Sequence, residues 1–155
     1  MLFKGKVKKI LDEKSGEKAI MAIDMLLTPI FYSKPGKLSE EEKTIVYIEA
    51  LEREVNNGGF SQFFFNSSGN NTEETVRALR NVGSTKFLRL VISAIEQFAN
   101  SYVPKDRVER QYILERIEDT ASQTWNELDT EFYKYEEDLY SLMRNYMLAN
   151  IKSFR

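Results

Sequence analysis

Between Ser39 and Gly59 the chain carries a helix whose start, buried face and stop are all written in its side chains. Ser39 can accept a hydrogen bond from an orphan amide of the first turn, and Glu42 can accept one in return from the Ser39 N–H. Glu40, Glu41 and Glu42 set negative charge at the positive end of the helix dipole. Ile45, Ile48, Leu51 and Val55 then recur at spacings of three and four and mark one apolar stripe. Asn57-Gly58-Gly59 closes the run, because asparagine and glycine tolerate the left-handed conformation at helix ends. Such a stripe must be buried against other elements, so the flanking sequence decides the fold class.

The flanks supply further helices. Residues 1–11 alternate loosely, with Leu2, Lys4, Lys6 and Lys8 set against Phe3 and Val7, and read as a short strand or a frayed helix. Ser15-Gly16 marks a break. Apolar residues at 19, 20, 23, 26 and 27 predict a helix over 17–27, with Pro29 and then Lys34-Pro35-Gly36 stopping it. Phe60–Phe65 is too short to assign by period and could be a strand, but its helical neighbours favour one or two helical turns, and residues 67–71 read as loop. Val76, Leu79 and Val82 line the next helix up to Gly83, and Ser84 is placed to cap the one after it, whose inward residues run from Phe87 to Phe98. Asp106 caps a helix in which Lys105, Arg107, Arg110 and Arg116, with Glu109, Glu115 and Glu118, form a solvated face. Trp125–Leu128 leads through Asp129-Thr130 into a last helix built on Leu139, Leu142, Met143, Tyr146 and Met147. The expectation is an all-α, single-domain bundle of roughly six to eight helices with short loops.

Composition narrows the chemistry. At 155 residues the chain has the length of one domain. It has no cysteine and no histidine, which removes disulfides, Cys nucleophiles, imidazole bases, thiolate or imidazole zinc sites and Ser-His-Asp triads. No catalytic constellation is recognisable, and no enzyme activity, metal or cofactor is expected. No apolar run approaches the ~18–20 residues of a membrane span, and Met1-Leu2-Phe3-Lys4 lacks the features of a secretory signal, so the expected location is the cytoplasm. The net charge is only -2, but it is segregated along the chain. Residues 1–18 hold six Lys against three acids, residues 39–57 six Glu against Lys43 and Arg53, and residues 120–140 six acids against Lys134. Binding of nucleic acid through Lys4, Lys6, Lys8 and Lys9 is opposed by a pI near 5.4.

One segment stands apart from the helical pattern. Glu54, Asn56, Asn57, Gly58, Gly59, Phe60, Gln62, Phe63, Phe64 and Asn66 mix turn residues, side-chain amides and rings. The structural reading makes it a helix stop and core plug, with the amides satisfying buried backbone groups. The functional reading makes it a pocket in which the amides offer donors and acceptors to a small polar ligand. Composition leaves both open.

The run Leu51-x-x-Glu54-Val55-Asn56-Asn57-Gly58-Gly59-Phe60-x-Gln62-Phe63-Phe64-x-Asn66-Ser67-x-Gly69 resembles the signature of a bacterial family, domain of unknown function 4375, also described as DNA-mimic-protein C-terminal-like. Val103-Pro104-x-Asp106-x-x-x-Arg110, Leu128-Asp129-x-x-Phe132-Tyr133 and Glu136-Glu137-Asp138-Leu139 extend the resemblance over residues 38–154. It divides the chain into a helical extension, residues 1–37, packed with a family domain, residues 38–155. The resemblance implies an all-helical fold without catalytic residues. It also implies a protein partner, a DNA-binding one as candidate, met by acidic side chains standing in for phosphates. Neither nucleic acid nor membrane is an expected direct partner. Two acidic stretches are candidates for that surface: Glu40, Glu41, Glu42, Glu49 and Glu52, and then Glu127, Asp129, Glu131, Glu136, Glu137 and Asp138.

Overall fold

The computed structural model describes residues 5–155, and the described residues form seven α-helices and no strand. They are α1 (Lys6–Glu13), α2 (Gly16–Ser33), α3 (Glu40–Phe65), α4 (Thr72–Asn81), α5 (Lys86–Ile95), α6 (Arg107–Tyr133) and α7 (Leu139–Ala149). The expected all-α, single-domain bundle is what forms. Leu2, Phe3 and Lys4 lie outside the described residues, and the remainder of the ambiguous first segment is helix α1.

The sequence-encoded helix is the axis of the bundle. Ser39 Oγ accepts from the Glu42 N–H and Glu42 Oε2 from the Ser39 N–H, both at 3.0 Å, so the capping box is complete. Ile45, Ile48, Leu51 and Val55 are all fully buried, each worth ~1.5–3 kcal/mol in transfer from water. α3 packs against α2, α4 and α6. Residues 5–37 pack directly on the rest: α2 lies on α3 and α7, the Val7 N–H donates to the Arg155 carbonyl at 2.8 Å, and Arg144 Nη2 donates to the Leu11 carbonyl at 2.8 Å. Arg155 also clasps Glu42, with Nε on Oε1 at 2.8 Å and Nη2 on Oε2 at 2.9 Å, which fastens the end of the chain to the start of α3.

Four elements depart from the sequence reading. α2 runs through Pro29 to Ser33, because burial of Leu27 and packing of Ile30 and Phe31 on the core offset a lost helical bond of ~3 kcal/mol. Lys34-Pro35 is the real stop. α6 continues through Asp129-Thr130 as one helix of 27 residues, since Leu114, Ala121, Trp125 and Phe132 keep one buried face across that point. The break falls instead before Asp138, whose Oδ1 accepts from the Ser141 N–H and caps α7. The start of α5 is capped from a distance: Glu137 accepts from Ser84 Oγ at 2.6 Å and from the Thr85 N–H at 3.0 Å, so Ser84 is not the cap itself.

The fourth departure is Arg110. It is fully buried, not part of a solvated face. Its guanidinium donates to the carbonyls of Phe64 (2.6 Å), Asn66 (2.9 Å), Pro104 (2.8 Å) and Lys105 (3.1 Å) and to Asn70 Oδ1 (2.8 Å). These acceptors close the turn Ser67–Asn71 and the loop before α6 around one cation. Gly69 makes room for it, since a Cβ there would lie 2.5 Å from Arg110 Nε and 2.8 Å from the Phe64 carbonyl oxygen. A lysine at this position supplies at most three donors and no planar fork. Arg110→Lys is therefore expected to lower unfolding free energy by ~2 kcal/mol or more, read as a reduced urea midpoint at unchanged m-value.

Candidate functional site

The Asn56–Asn66 segment is where α3 bends. Gly58 (φ -156°, ψ 18°) and Gly59 (φ 76°, ψ -175°) leave helical geometry, and the chain resumes helix at Phe60. The Gly59 conformation is one essentially reserved for glycine. Restarting a helix exposes orphan amides, and here Asp129 of α6 supplies the cap: its Oδ1 accepts from the Phe60 N–H at 2.8 Å. A Cβ on Gly59 would lie 2.2 Å from Asp129 Oδ2. Burial raises the Asp129 pKa, and the Phe60 N–H partly offsets it. Phe60, Phe63 and Phe64 are fully buried. Phe64 meets Phe98 at 4.9 Å and Trp125 at 5.5 Å between centroids, and Phe60 meets Phe132 at 6.0 Å. The core-plug reading thus holds for the rings.

The amides behave differently. Gln62 Nε2 and Asn66 Nδ2 both donate to Glu54 Oε2 at 2.8 Å, and Asn57 Nδ2 donates to Gln62 Oε1 at 3.2 Å. Arg107 Nη2 reaches Asn66 Oδ1 at 3.3 Å. The amides are bonded to side chains across the bend, and beside them lies a cavity of about 550 Å³. Asn57, Gly58, Ser61, Gln62, Phe65 and Asn66 form one wall, and Leu114, Glu118 and Trp125 of α6 the other. Of the residues singled out in the sequence, Asn57, Gly58, Gln62 and Asn66 face this cavity. Asn56 instead donates to Tyr135 Oη at 2.8 Å on another side of the helix. Ser61, Phe65, Leu114, Glu118 and Trp125 were missed, because nothing in sequence spacing brings α6 onto the bend.

The two acidic stretches do not survive as surfaces. Glu42, Glu49 and Glu52 are buried, at 1%, 8% and 5% exposure, because each sits on the packed side of α3. Glu42 is neutralised by Arg155, and Glu40 pairs with Lys43 at 2.8 Å, which leaves only Glu41 of that group. In the second group Asp129, Glu137 and Asp138 are spent as caps, Glu131 pairs with Lys134 at 2.6 Å, and Glu136 with Lys86 at 3.0 Å. Glu127 alone stays exposed outside these ion pairs. At the other end of the chain, Lys8 pairs with Asp12 and Lys9 with Glu13.

Exposed acid collects elsewhere, on α6. Glu115, Glu118 and Asp119 stand three and four apart on one solvent face, and Glu127 follows two turns on. Residues 117–133 contain no Lys or Arg. Arg116, the one base between 111 and 133, lies over the Tyr112 ring at 4.3 Å. Glu118 belongs both to this ridge and to the cavity wall.

A buried carboxyl pair lies on the opposite edge of α3. Tyr135 Oη donates to Glu52 Oε1 at 2.9 Å, while Glu49 Oε1 and Glu52 Oε2 are buried with no partner if both groups are ionised. Burial, the hydrogen bond to Glu52 and its charge push the Glu49 pKa up to about 10, so Glu49 carries a proton shared with Glu52 at neutral pH.

Among known proteins, a family model described as DMP19-like protein matches residues 36–150. No curated protein and no solved structure matches the chain. The name agrees with the DNA-mimic resemblance at family level, but it does not reach the numbered domain family to which the motif was likened. Among the described residues no helix is long and apolar enough to cross a membrane.

Two outcomes follow from this geometry. Gly59→Ala forces a glycine-only backbone and displaces the Asp129 cap, and should cost ~2–3 kcal/mol in chemical denaturation. For Glu49 the folded pKa of about 10 exceeds the ordinary 4.5, so the folded chain holds an extra proton between those values and loses stability as pH rises through that window. Glu49→Gln removes that loss while keeping a donor for Glu52. Its thermal midpoint should match the unaltered chain near pH 5 and exceed it increasingly from pH 7 to pH 9, by differential scanning calorimetry.

Proposed function

The chain belongs to the DMP19-like protein family, and on that premise we propose that it is a protein-interaction module whose acidic α6 ridge meets the basic surface of a DNA-binding protein. The observation that carries this reading is the stretch 117–133, solvent-facing along one side and free of any base. Within it Glu118, Asp119 and Glu127 span ~14 Å of helix, one charge per roughly 5 Å, with Glu115 lying beyond Arg116. That is comparable with the phosphate row of a single DNA strand, ~3.4 Å per charge, and well below the duplex as a whole. At about 100° per residue Glu115, Asp119 and Glu127 fall within about 120° of the helix surface, while Glu118 turns toward the cavity, so the ridge suits a short row of lysines or arginines. Unpaired surface carboxylates steer a basic partner and release it as salt rises.

The same site speaks for binding over catalysis. Glu54, Asp129 and Glu137 are committed to fixed hydrogen bonds, and histidine and cysteine are absent from the sequence. Such a partner would be met in the cytoplasm. A second reading, a small polar ligand held at the bend, is favoured by the cavity of about 550 Å³ against the amides.

Affinity capture from the native cell with mass spectrometry tests the proposal. The expected result is a DNA-binding protein that is released by rising salt and displaced by added duplex DNA. The triple variant Glu115→Lys, Asp119→Lys, Glu127→Lys should lose it by about tenfold or more. Capture unaffected by both DNA and the charge reversal would overturn the reading.

A further inference from the structure

We propose that the cavity between the α3 bend and α6 is a receptor for the guanidinium of an arginine side chain presented by the partner. The proposal rests on the interaction reading above and names what it inserts.

The amide nitrogens of Asn57, Gln62 and Asn66 each spend one N–H on Gln62 Oε1 or Glu54 Oε2 and keep a second. The lining residues also bring oxygen acceptors, in the Asn57 side-chain amide, the Ser61 hydroxyl and the Glu118 carboxylate. Among the described residues no lysine or arginine lines the cavity, and Glu118 is the one charged residue that does. Arg107 touches two lining residues, donating Nε–H to the Phe65 carbonyl and one Nη2–H to Asn66 Oδ1. A site whose one formal charge is negative, with carboxylate, hydroxyl and amide oxygens beside an aromatic wall, suits a cation with several N–H groups.

The walls then choose between cations. Phe65 is half exposed, and Trp125 and Leu114 close the opposite side, so the polar rim sits on an aromatic and aliphatic floor. A guanidinium is planar, weakly hydrated and carries five donors in one fork, so it can stack on a ring while meeting several acceptors. An ammonium is compact and strongly hydrated, and uses such walls less well. At about 550 Å³ the space also takes the aliphatic stem of the side chain. Phe65 already tolerates a guanidinium nearby, since Arg107 lies 6.0 Å from its ring centroid. Glu118 joins the cavity to the acidic ridge, so an arginine entering here would belong to the same basic surface that the ridge attracts.

Trp125 is the only tryptophan of the chain and lines the cavity, so its fluorescence reports occupancy. N-acetyl-arginine amide should give a saturable change in emission. N-acetyl-lysine amide should bind more weakly, and the neutral isostere N-acetyl-citrulline amide at least about tenfold more weakly. Glu118→Gln, at an exposed position, should weaken the arginine compound by about fivefold, and Ser61→Phe, which fills the cavity, should abolish the change. No saturable change up to tens of millimolar ligand, or equal binding of the citrulline compound, would overturn the proposal. The ridge variant separates the two readings. Arginine binding retained while capture ignores the ridge refutes the interaction surface alone. Capture lost by charge reversal, with no response to the arginine compound, refutes the receptor alone.

Discussion

One buried guanidinium holds the working half of this molecule in register. Arg110 leaves α6, passes over Gly69 and gathers five acceptors from the end of α3, the turn after it and the loop before α6. No carboxylate shares its hydrogen bonds. Burial lowers its pKa most and Arg107 adds to that, against a small opposing effect of Asp106. Carbonyl oxygens are the compensation, and they are costly to leave unmet in a dry interior. The cation and its acceptors therefore require each other. The crossing of α3 on α6, the contact on which the cavity depends, cannot shift without breaking that set.

The bend in α3 is the second constraint. Two glycines interrupt the helix, and Asp129 caps the restarted turn from the partner helix. The kink redirects Phe60, Phe63 and Phe64 into a ring cluster with Phe98, Trp125 and Phe132. It also turns Asn57, Gln62 and Asn66 outward beside Glu54. A straight helix would have spread these residues around its circumference. Bending it collects rings on the inside and amides at the edge, and the cavity is the space left between that edge and α6.

How much of this was legible depended on the range of the interaction. The capping box, the apolar stripe of α3, the glycine interruption and the helical turns after it all follow from contacts within a few residues, and all are present. The failures were contacts between distant residues. Arg110 looked like its neighbours Arg107 and Arg116, and only packing of the turn after α3 buries it. Asp129 looked like a helix break because its partner, the Phe60 N–H, is 69 residues away. Glu137 looked like surface acid, yet it caps α5 across 52 residues. The acidic stretches dissolved for the same reason: linear density of charge does not say which carboxylates a fold consumes.

The sequence by itself determined the class of fold and the chemistry it lacks. Helical periodicity, caps and breakers are local, and the absence of cysteine and histidine is a matter of composition. The motif at the bend pointed to a DNA-mimic family, and the match over residues 36–150 agrees at that coarser level with a DMP19-like protein family. Tertiary structure alone decided where free charge and open space come together. It buried Glu42, Glu49 and Glu52, spent most of the later acids as caps and ion pairs, and left Glu115, Glu118, Asp119 and Glu127 on α6 beside the bend. The physical reason is that exposure and cavity shape belong to pairs of elements, and a linear sequence specifies each element long before it specifies the pair.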